Sequence, residues 1–295
     1  MSERYAPAVS VIIPAFNAAP YVTGAIQSAL ASRNVPVEVI VIDDASDDDT
    51  WQVLEGFEGK IRKVRQARGG PYRARNLGGR LARGEWLAFL DADDDWRQDK
   101  LAKQLALADE HTGLVYTDRL NFGDRTRLAE RQSDSVRLWE GDVFEPLLLG
   151  NFITLSSVLM RKSWFNRLGG FEVERRGVQD WDLWLRFAAE GGQVRLCREP
   201  LTRYRIHAEQ MSNALDERAT DREAVLRRAL QLPRGRRVPA KIVRQAFAGV
   251  WEIAAWHAAV GQRRKAIYWY LRSACYWPWN LRIYKGIVKC CIGRL

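Results

Sequence analysis

Four carboxylates stand within five positions, directly after an apolar run of strand length. The run spans 86–90, and the acids that follow it are Asp91, Asp93, Asp94 and Asp95. Adjacent negative charges repel one another, so folding alone gives no reason to place them together. Carboxylate oxygens bind hard cations such as Mg²⁺ and Mn²⁺, and such an ion often shares phosphate oxygens with a substrate. The pattern therefore predicts a metal–phosphate site. The alternative is a helix that begins near Arg97 and is capped by Asp94 or Asp95.

A strand–helix alternation occupies the first third of the chain and would position these acids. Apolar or β-branched runs at 9–13, 37–42, 61–65 and 86–90 predict strands, and the patterns at 21–31, 50–57 and 72–82 predict helices between them. This alternation is typical of an α/β fold with a mostly parallel sheet and helices on both faces. Ligands bind at the carboxyl ends of such strands, where Asp43, Asp44, Asp91 and Asp93 would lie.

The pattern changes after about residue 114. Strands are predicted at 114–120, at 152–160 and near Val194, with a polar loop over 121–140 and an amphipathic helix over 179–190. From Arg222 onward only helical patterns occur. We therefore expect two domains, one over 1–220 and a helical C-terminal region over 221–295.

Composition bounds the class of protein and its compartment. The 295 residues are 47% hydrophobic and 28% charged, as in an ordinary globular protein. The four cysteines show neither zinc-type spacing nor the framework of a small secreted protein, which favours a reducing cytosol. The first residues lack an apolar signal segment, and no apolar run reaches the roughly 18 residues of a membrane-spanning helix. We expect a cytoplasmic protein.

The positive charge is concentrated in the C-terminal region. Residues 221–295 hold 16 Lys/Arg and 3 Asp/Glu, a net charge of +13, so the rest of the chain carries −3 of the total of +10. A nucleic-acid partner is disfavoured because the basic residues lie outside the predicted catalytic part. Basic residues interleaved with Trp and Tyr favour peripheral binding to the inner face of a membrane. In the last segment Arg282, Lys285 and Lys289 would share one helix face, with Ile283, Ile287 and Cys291 on another. The alternative is a packed helical cap with a solvated basic face.

An ordered set of motifs over residues 8–213 resembles the family 2 glycosyltransferases. The matching stretches are Pro14-Ala15-Phe16-Asn17, the acidic turn 43–50, Ala74-Arg75-Asn76-Leu77-Gly78, the acidic strand end 84–94, Asp180-Trp181-Asp182-Leu183-Trp184-Leu185-Arg186 and Tyr204-Arg205-Ile206-His207. The resemblance implies a GT-A fold, which is a Rossmann-like, mostly parallel mixed sheet with helices on both faces, here followed by the C-terminal helices. It also implies a nucleotide-diphosphosugar donor.

The resemblance assigns a donor-binding set. Its members are Pro14, Phe16, Asn17, Asp44, Arg75, Asp91 and Ala92. Phe16 would pack on the base, or else be a core residue. Asp44 would accept the imide N–H of a uracil or thymine, or else form a turn with Ser46. Arg75 would pair with the nucleotide phosphates, or else form a salt bridge to a nearby aspartate.

The resemblance also assigns the metal and the base. Asp93 would ligate Mg²⁺ or Mn²⁺, with His207 as a second ligand or a diphosphate contact; the alternative for His207 is an ordinary loop residue. Asp180 would be the general base that deprotonates the acceptor hydroxyl, or else a helix N-cap. Gln179 departs from the glutamate that the family commonly has before this aspartate.

These features predict an inverting glycosyltransferase. It would move a sugar from a UDP- or dTDP-type donor to an acceptor hydroxyl of a cell-surface polysaccharide or lipid-linked glycan. A nucleotidyltransferase would want a glycine-rich, basic loop after the first strand, and 14–17 is not one. A Rossmann dehydrogenase is excluded because no Gly-x-Gly-x-x-Gly follows that strand. An inactive nucleotide-sugar-binding module stays open because of Gln179.

Overall fold

The computed structural model describes residues 7–124, 129–174, 178–207 and 219–292. The chain clusters into two compact units. The first unit comprises Met1–Asp142, Phe152–Val173 and Gly191–Ala208, and the second comprises Val143–Asn151, Glu174–Glu190 and Glu209–Leu295. The expected domain boundary at residue 220 stays a prediction.

The first unit contains an eight-stranded sheet. Its strands are β1 (Val9–Ala15), β2 (Val37–Asp43), β3 (Arg62–Arg65), β4 (Trp86–Phe89), β5 (Asp95–Trp96), β6 (Thr112–Gly123), β7 (Leu159–Arg161) and β8 (Gln193–Ile206). The strand order is β3-β2-β1-β4-β7-β6-β8-β5. Strands β1 to β4 and the pair β6/β8 are parallel, whereas β7 is antiparallel to both neighbours and β5 is antiparallel to β8. The predicted α/β class with a mixed, mostly parallel sheet is confirmed.

Helices cover both faces of this sheet. The helices of the first unit are α1 (Val22–Leu30), α2 (Thr50–Glu55), α3 (Pro71–Leu81), α4 (Lys100–Leu107) and α6 (Lys162–Arg167). Alternate residues of β1 point to opposite faces, and Val11 joins the buried cluster that contains Ile26 of α1 and Leu101 of α4. Ile12 faces α3 on the other side, where a Cβ at Gly78 would lie 2.5 Å from its side chain. Glycine is therefore needed for α3 to approach the sheet.

Four sequence-based boundaries are wrong. The strand predicted at 152–160 is reduced to β7, because Ser157 bonds back to the Thr154 carbonyl and closes a 3₁₀ turn over Leu155–Ser157. The helix expected near Arg97 begins at Lys100. The predicted loop 121–140 contributes the end of β6 and a 3₁₀ turn over Gln132–Asp134, and its residues 125–128 lie outside the described residues. The two short predicted segments around 194 and 204 form one strand, β8, which passes Pro200 at a register irregularity against β6.

The second unit is helical. It contains α5 (Phe144–Leu149), α7 (Gln179–Ala189), α8 (Ala219–Gln231), α9 (Ala240–Ala258), α10 (Arg263–Tyr276) and α11 (Leu281–Ile292). Alanines on α9 let its buried Trp251 approach Trp269 of α10, with ring centroids 6.2 Å apart. Trp181 and Trp184 of α7 are buried, as simple helix packing predicts. Among the described helices, none combines the length and the apolar character that crossing a bilayer requires.

Candidate active site

Asn17 links the loops that follow β1 and β2 through hydrogen bonds. It has a positive φ of 46°, a conformation that Asn tolerates better than most residues. Its N–H donates to Ser46 Oγ at 3.1 Å, and its side-chain oxygen accepts the Asp47 N–H at 3.1 Å. Pro14 lies within β1, opposite Ile42 of β2, and is buried. Both residues thus shape the sheet where the carboxyl ends of β1 and β2 lie.

Asp44 holds the loop that leads into α3. Its Oδ1 accepts hydrogen bonds from Gln66 Nε2 at 2.7 Å and Gly69 N at 2.8 Å, and its Oδ2 accepts one from Gly70 N at 2.7 Å. The residue is 2% exposed. A carboxylate has about four acceptor positions, so one position remains beside these three bonds. The turn with Ser46 belongs instead to Asp43, whose Oδ1 accepts the Ser46 N–H at 3.2 Å.

Phe16 is half-buried and carries an arginine on its ring face. The Arg68 guanidinium carbon lies 3.1 Å from the ring centroid, and Arg68 Nε lies 3.9 Å from Asp44 Oδ2. The cation therefore stands between the two side chains that the resemblance assigns to the base. Phe16 is not a buried core residue.

Arg75 forms an ion pair with Asp91. The side chain is 4% exposed, its guanidinium lies over the Tyr72 ring at 4.6 Å, and its Nη2 contacts Asp91 Oδ1. The salt bridge that the sequence left as an alternative is thus formed. Arg75 also stands next to the acids of the proposed phosphate site.

Three carboxylates converge after β4. Oxygens of Asp91, Asp93 and Asp94 lie within 4.8 Å of one another. Ala92 between them is buried, and the Asp91 N–H donates to Ser156 Oγ at 3.1 Å, which fixes the turn.

Strand β8 closes the other side of this turn. Asp94 Oδ1 accepts the Arg205 N–H at 2.8 Å, and the Asp93 carbonyl accepts Arg205 Nε at 2.9 Å. Asp95 pairs with Arg203 at 3.3 Å. The capping alternative is wrong, because α4 begins after Asp99 and that residue makes no side-chain cap.

His207 reaches Asp93 directly. Its Nε2 lies 3.0 Å from Asp93 Oδ2, and its ring stacks on Tyr21 with centroids 5.5 Å apart. The contact places the imidazole beside the carboxylate cluster, so an ordinary loop position is not what the structure shows. The ring does not belong to the mutually close carboxylate group itself.

The acids of this cluster are buried or half-buried and repel one another. Burial, and then the charge of Asp91, raise the pKa of Asp93, although His207 opposes this. Burial, and then the charges of Asp93 and Asp91, raise the pKa of Asp94 well above its ordinary value. The Ser156 hydroxyl lowers the pKa of Asp94 in part, but Asp94 Oδ2 is buried and makes no hydrogen bond of regular geometry with any described residue. An oxygen-rich donor set with an unsatisfied carboxylate oxygen fits Mg²⁺ or Mn²⁺.

Asp180 belongs to the second unit. It lies at the second position of α7, half-buried, and its Oδ2 accepts Asn151 Nδ2 at 2.9 Å. The helix N-cap is Val178, so the N-cap alternative for Asp180 is wrong. The Arg222 guanidinium lies over the Trp181 ring at 5.0 Å. Burial lowers the pKa of Arg222, and the nearby charge of Asp180 opposes this in part.

The neighbouring residues of α7 have structural partners. Asp182 is buried and pairs with Arg186 and Arg228, each at 2.8 Å. Gln179 is 4% exposed, and its side-chain oxygen accepts the Val178 N–H at 2.9 Å. A neutral side chain suits this buried position.

Sequence reasoning gave no individual role to three contributors to the site. The sequence held a clue to Arg205, because this residue stands in the same motif as His207. It also held a clue to Asp94, which is one of the four clustered acids. Arg68 had no local signal, because its partners Phe16 and Asp44 lie far away in the chain.

Comparison with known proteins gives a family. The family model of glycosyl transferase family 2 matches residues 10–169. An uncharacterized glycosyltransferase of Rickettsia felis is 30% identical over 222 residues, which are 72% of this chain but only 36% of that longer protein. The Escherichia coli UDP-Glc:alpha-D-GlcNAc-diphosphoundecaprenol beta-1,3-glucosyltransferase WfaP is 26% identical over 69% of this chain and 79% of its own length.

Solved structures give the same fold. Staphylococcus aureus TarS 1–349 in complex with UDP-GlcNAc superposes with a TM-score of 0.69 at 16% identity, over 97% of this chain and 88% of that 1–349 fragment. The mannosyltransferase PcManGT from Pyrobaculum calidifontis, in complex with GDP-Man and Mn²⁺, gives a TM-score of 0.64 at 18% identity, over 99% of this chain and 88% of PcManGT. At these identities the likeness establishes the fold alone.

Proposed function

The chain belongs to glycosyl transferase family 2, and we propose that it transfers a sugar from a nucleotide-diphosphosugar to an acceptor hydroxyl in polysaccharide biosynthesis. The observation that carries this proposal is the convergence of Asp91, Asp93 and Asp94 beside His207 at the edge of the sheet. The biosynthetic context is supported by relatives such as WfaP and the Rhizobium meliloti succinoglycan biosynthesis protein ExoO, which is 38% identical over 117 residues, 39% of this chain.

The acidic cluster would hold a divalent cation. Asp93 would be the central ligand, because oxygens of Asp91 and Asp94 lie close to it and His207 contacts its carboxylate. A bound Mg²⁺ or Mn²⁺ neutralises charge that grows on the leaving diphosphate. Arg75, beside Asp91, adds a guanidinium for phosphate oxygens.

Donor recognition would involve Phe16 and Asp44. Uracil and thymine bases have an imide N–H that fits the acceptor position left on Asp44. This favours UDP- or dTDP-sugars. Arg68 must leave the ring face of Phe16 before a base can stack there.

Asp180 would be the general base of an inverting displacement. Its carboxylate would take the proton of the acceptor hydroxyl as that oxygen attacks the anomeric carbon opposite the leaving group. Asn151 holds one carboxylate oxygen at 2.9 Å and so orients the side chain. A single carboxylate suffices for this role, so Gln179 is compatible with it.

The C-terminal helices would bind an anionic membrane surface from the cytoplasmic side, where lipid-linked acceptors are reached. Leu281, Tyr284, Val288 and Ile292 are exposed and recur at helical spacing on α11. Lys285 and Lys289 lie beside this stripe. The sequence expected Ile283 on the apolar outer face, but it is fully buried, so we propose the exposed stripe of α11 in its place.

A hydrolysis screen tests the function without an acceptor. The protein is incubated with UDP-, dTDP- and GDP-sugars and either Mg²⁺ or Mn²⁺, and nucleotide release is measured. Metal-dependent release from one donor supports a transferase and names that donor. Release of pyrophosphate from a nucleoside triphosphate and a sugar phosphate would instead establish the nucleotidyltransferase alternative. Nucleotide-sugar binding without release, with or without added glycan acceptors, would indicate an inactive module.

A further inference from the structure

The second unit has a cavity of 520 Å³ beside the turn that joins α10 to α11. Its floor is α9, where Ala248 and Gly249 leave space because they have almost no side chain. A Cβ at Gly249 would meet only the Leu149 carbonyl oxygen, at 3.6 Å. The volume lies within the roughly 300–1,000 Å³ of small-molecule sites.

Two indoles stand at this cavity on a fixed turn. Trp277 is half-buried, whereas Trp279 is 78% exposed, more than any other large apolar side chain among the described residues. Pro278 between them has a restricted φ, and the Asn280 N–H bonds to the Trp277 carbonyl at 3.3 Å. The turn therefore fixes the backbone from which both indoles project.

The polar lining contains both donors and acceptors. Asn280 Nδ2 donates to Glu252 Oε2 at 2.6 Å, and Asn280 Oδ1 accepts the Arg282 N–H at 3.1 Å. Glu252 keeps further acceptor positions, since a carboxylate has about four. Gln245 adds an amide to the wall.

These groups select a chemical class. A phosphate is disfavoured because the Glu252 carboxylate offsets the Arg282 guanidinium. An acyl chain is disfavoured because it would desolvate that carboxylate. A pyranose ring fits, since its C–H face packs on an indole and its hydroxyls pair with the amides and the carboxylate.

We propose that this cavity is a carbohydrate subsite that binds a neutral pyranose unit of the acceptor glycan. The assignment to the acceptor rests on the proposed transferase function, but saccharide binding itself does not. The subsite would hold a sugar unit remote from the reacting hydroxyl and so retain the acceptor between encounters with the donor.

Saccharide binding is measured on the full chain by saturation-transfer NMR and calorimetry. The probes are cellobiose, N,N′-diacetylchitobiose and mannobiose. Trp279→Ala removes the exposed indole, and Gly249→Leu fills the cavity from a helix position that accepts a side chain. Trp256→Ala is the control, because Trp256 is 51% exposed on α9 and does not line the cavity. We expect at least one probe to bind the wild type and Trp256→Ala, and to bind the other two variants at least about tenfold more weakly.

Absence of binding by all three probes would overturn the proposal, as would equal affinity in all variants. A change confined to partitioning onto phosphatidylglycerol vesicles would assign Trp279 to the membrane instead, and would also overturn it. Donor hydrolysis should be the same in all variants. Saccharide binding by a wild type that hydrolyses no donor would leave the subsite standing while the transferase function fails.

Discussion

The two units depart from the usual distribution of charged and apolar side chains in opposite ways. The first unit buries ionisable groups, among them Asp94, Arg75 and Lys100. Of the exposed large apolar side chains in the described ranges, it has Leu107 and Val136. The second unit has the other ten, and its buried acids Asp182 and Glu223 are each paired with two arginines.

This difference indicates that the two units have different roles. Burying acids that repel one another lowers the free energy of unfolding. Such acids occur where a bound ligand compensates their charge, so they indicate a functional site. Exposed aromatic and aliphatic side chains mark contact with another surface. The proposed function therefore assigns donor and metal binding to the first unit, and the base and the contacts with acceptor and membrane to the second.

The largest expected effect is on the acidic cluster of the first unit. Asp93→Ala removes the central carboxylate, so metal-dependent donor hydrolysis should fall to the background of the assay while the protein stays folded by circular dichroism. EDTA should act in the same way on the wild type, with recovery on adding Mn²⁺. Activity that survives both treatments would show that the cluster holds no catalytic metal. Glu110→Ala, at an exposed acid of the same unit, is the control.

The second-largest expected effect concerns Asp180, the proposed general base in the second unit. Asp180→Asn keeps the shape of the side chain and the contact with Asn151 Nδ2 but removes the proton acceptor. Sugar transfer should fall on the order of 10²–10⁴-fold, the usual contribution of a general base. Nucleotide affinity should hardly change. If nucleotide affinity falls as much as turnover, or turnover is unchanged, Asp180 is not the base.

The third effect concerns the exposed stripe of the second unit. Lys285→Gln with Lys289→Gln should weaken binding to anionic vesicles by up to about 2 kcal/mol, since each basic side chain near such a surface contributes about 1 kcal/mol. High salt should weaken wild-type binding by screening. Lys241→Gln with Arg244→Gln removes the same charge from α9. An equal loss in this control would mean that binding follows net charge rather than α11.

The fourth expected effect concerns the free energy of unfolding that is lost because Lys100 is buried in the first unit. Burial holds the pKa of Lys100 well below its ordinary value, and its Nζ donates to Gln104 at 2.8 Å. Above the folded-state pKa and below about 10.4, the unfolded chain binds a proton that the folded chain does not, so stability rises with pH. Lys100→Met should remove this slope, at most about 1.4 kcal/mol per pH unit, and raise stability at pH 7.

Urea denaturation at pH 7 and pH 9 measures the change. Lys103→Met, on the exposed side of the same helix, is the control, because hydrogen bonds to Glu199 and Asp99 raise the pKa of that lysine instead of lowering it. A wild-type slope that persists in Lys100→Met would assign the pH dependence to another group.

The smallest expected effect concerns Arg68, whose guanidinium lies on the Phe16 ring, where the nucleotide base is proposed to stack. Arg68→Ala removes a cation–π contact worth about 0.5–1 kcal/mol at an exposed site, so UDP should bind about two- to fivefold more tightly if base and guanidinium compete. Arg80→Ala, an exposed change on α3, should leave affinity unchanged. Weaker UDP binding in Arg68→Ala would show that the guanidinium contacts the nucleotide.

Local patterns predicted the sheet edge of the first unit well. The runs at 9–13, 37–42 and 86–90 became β1, β2 and β4 because buried parallel strands are continuous apolar runs. The position of the acids followed directly from this. The 3₁₀ turn at 155–157 was missed, because hydrogen bonds between a hydroxyl and a nearby carbonyl leave no periodic signal.

Contacts between distant parts of the chain were not predictable from one sequence. Asp94 and Arg205 are 111 positions apart, and only the pairing of β8 with β6 and β5 brings them together. The same holds for Arg68 on Phe16. On α11 the amphipathic pattern was recognised, but which apolar stripe is buried depends on packing against α10, where Gly286 lies against the Tyr270 ring.

The three hydrogen bonds that Asp44 accepts from the loop 66–70 affect how mutational data must be read. Asp44→Ala would release the backbone of Gly69 and Gly70, whose N–H groups would lose their acceptor. A fall in nucleotide affinity would then report a disordered entrance to α3 as readily as a lost base contact. Base preference is the informative readout, because a released loop should weaken UDP and GDP alike, whereas a lost imide contact should weaken UDP alone.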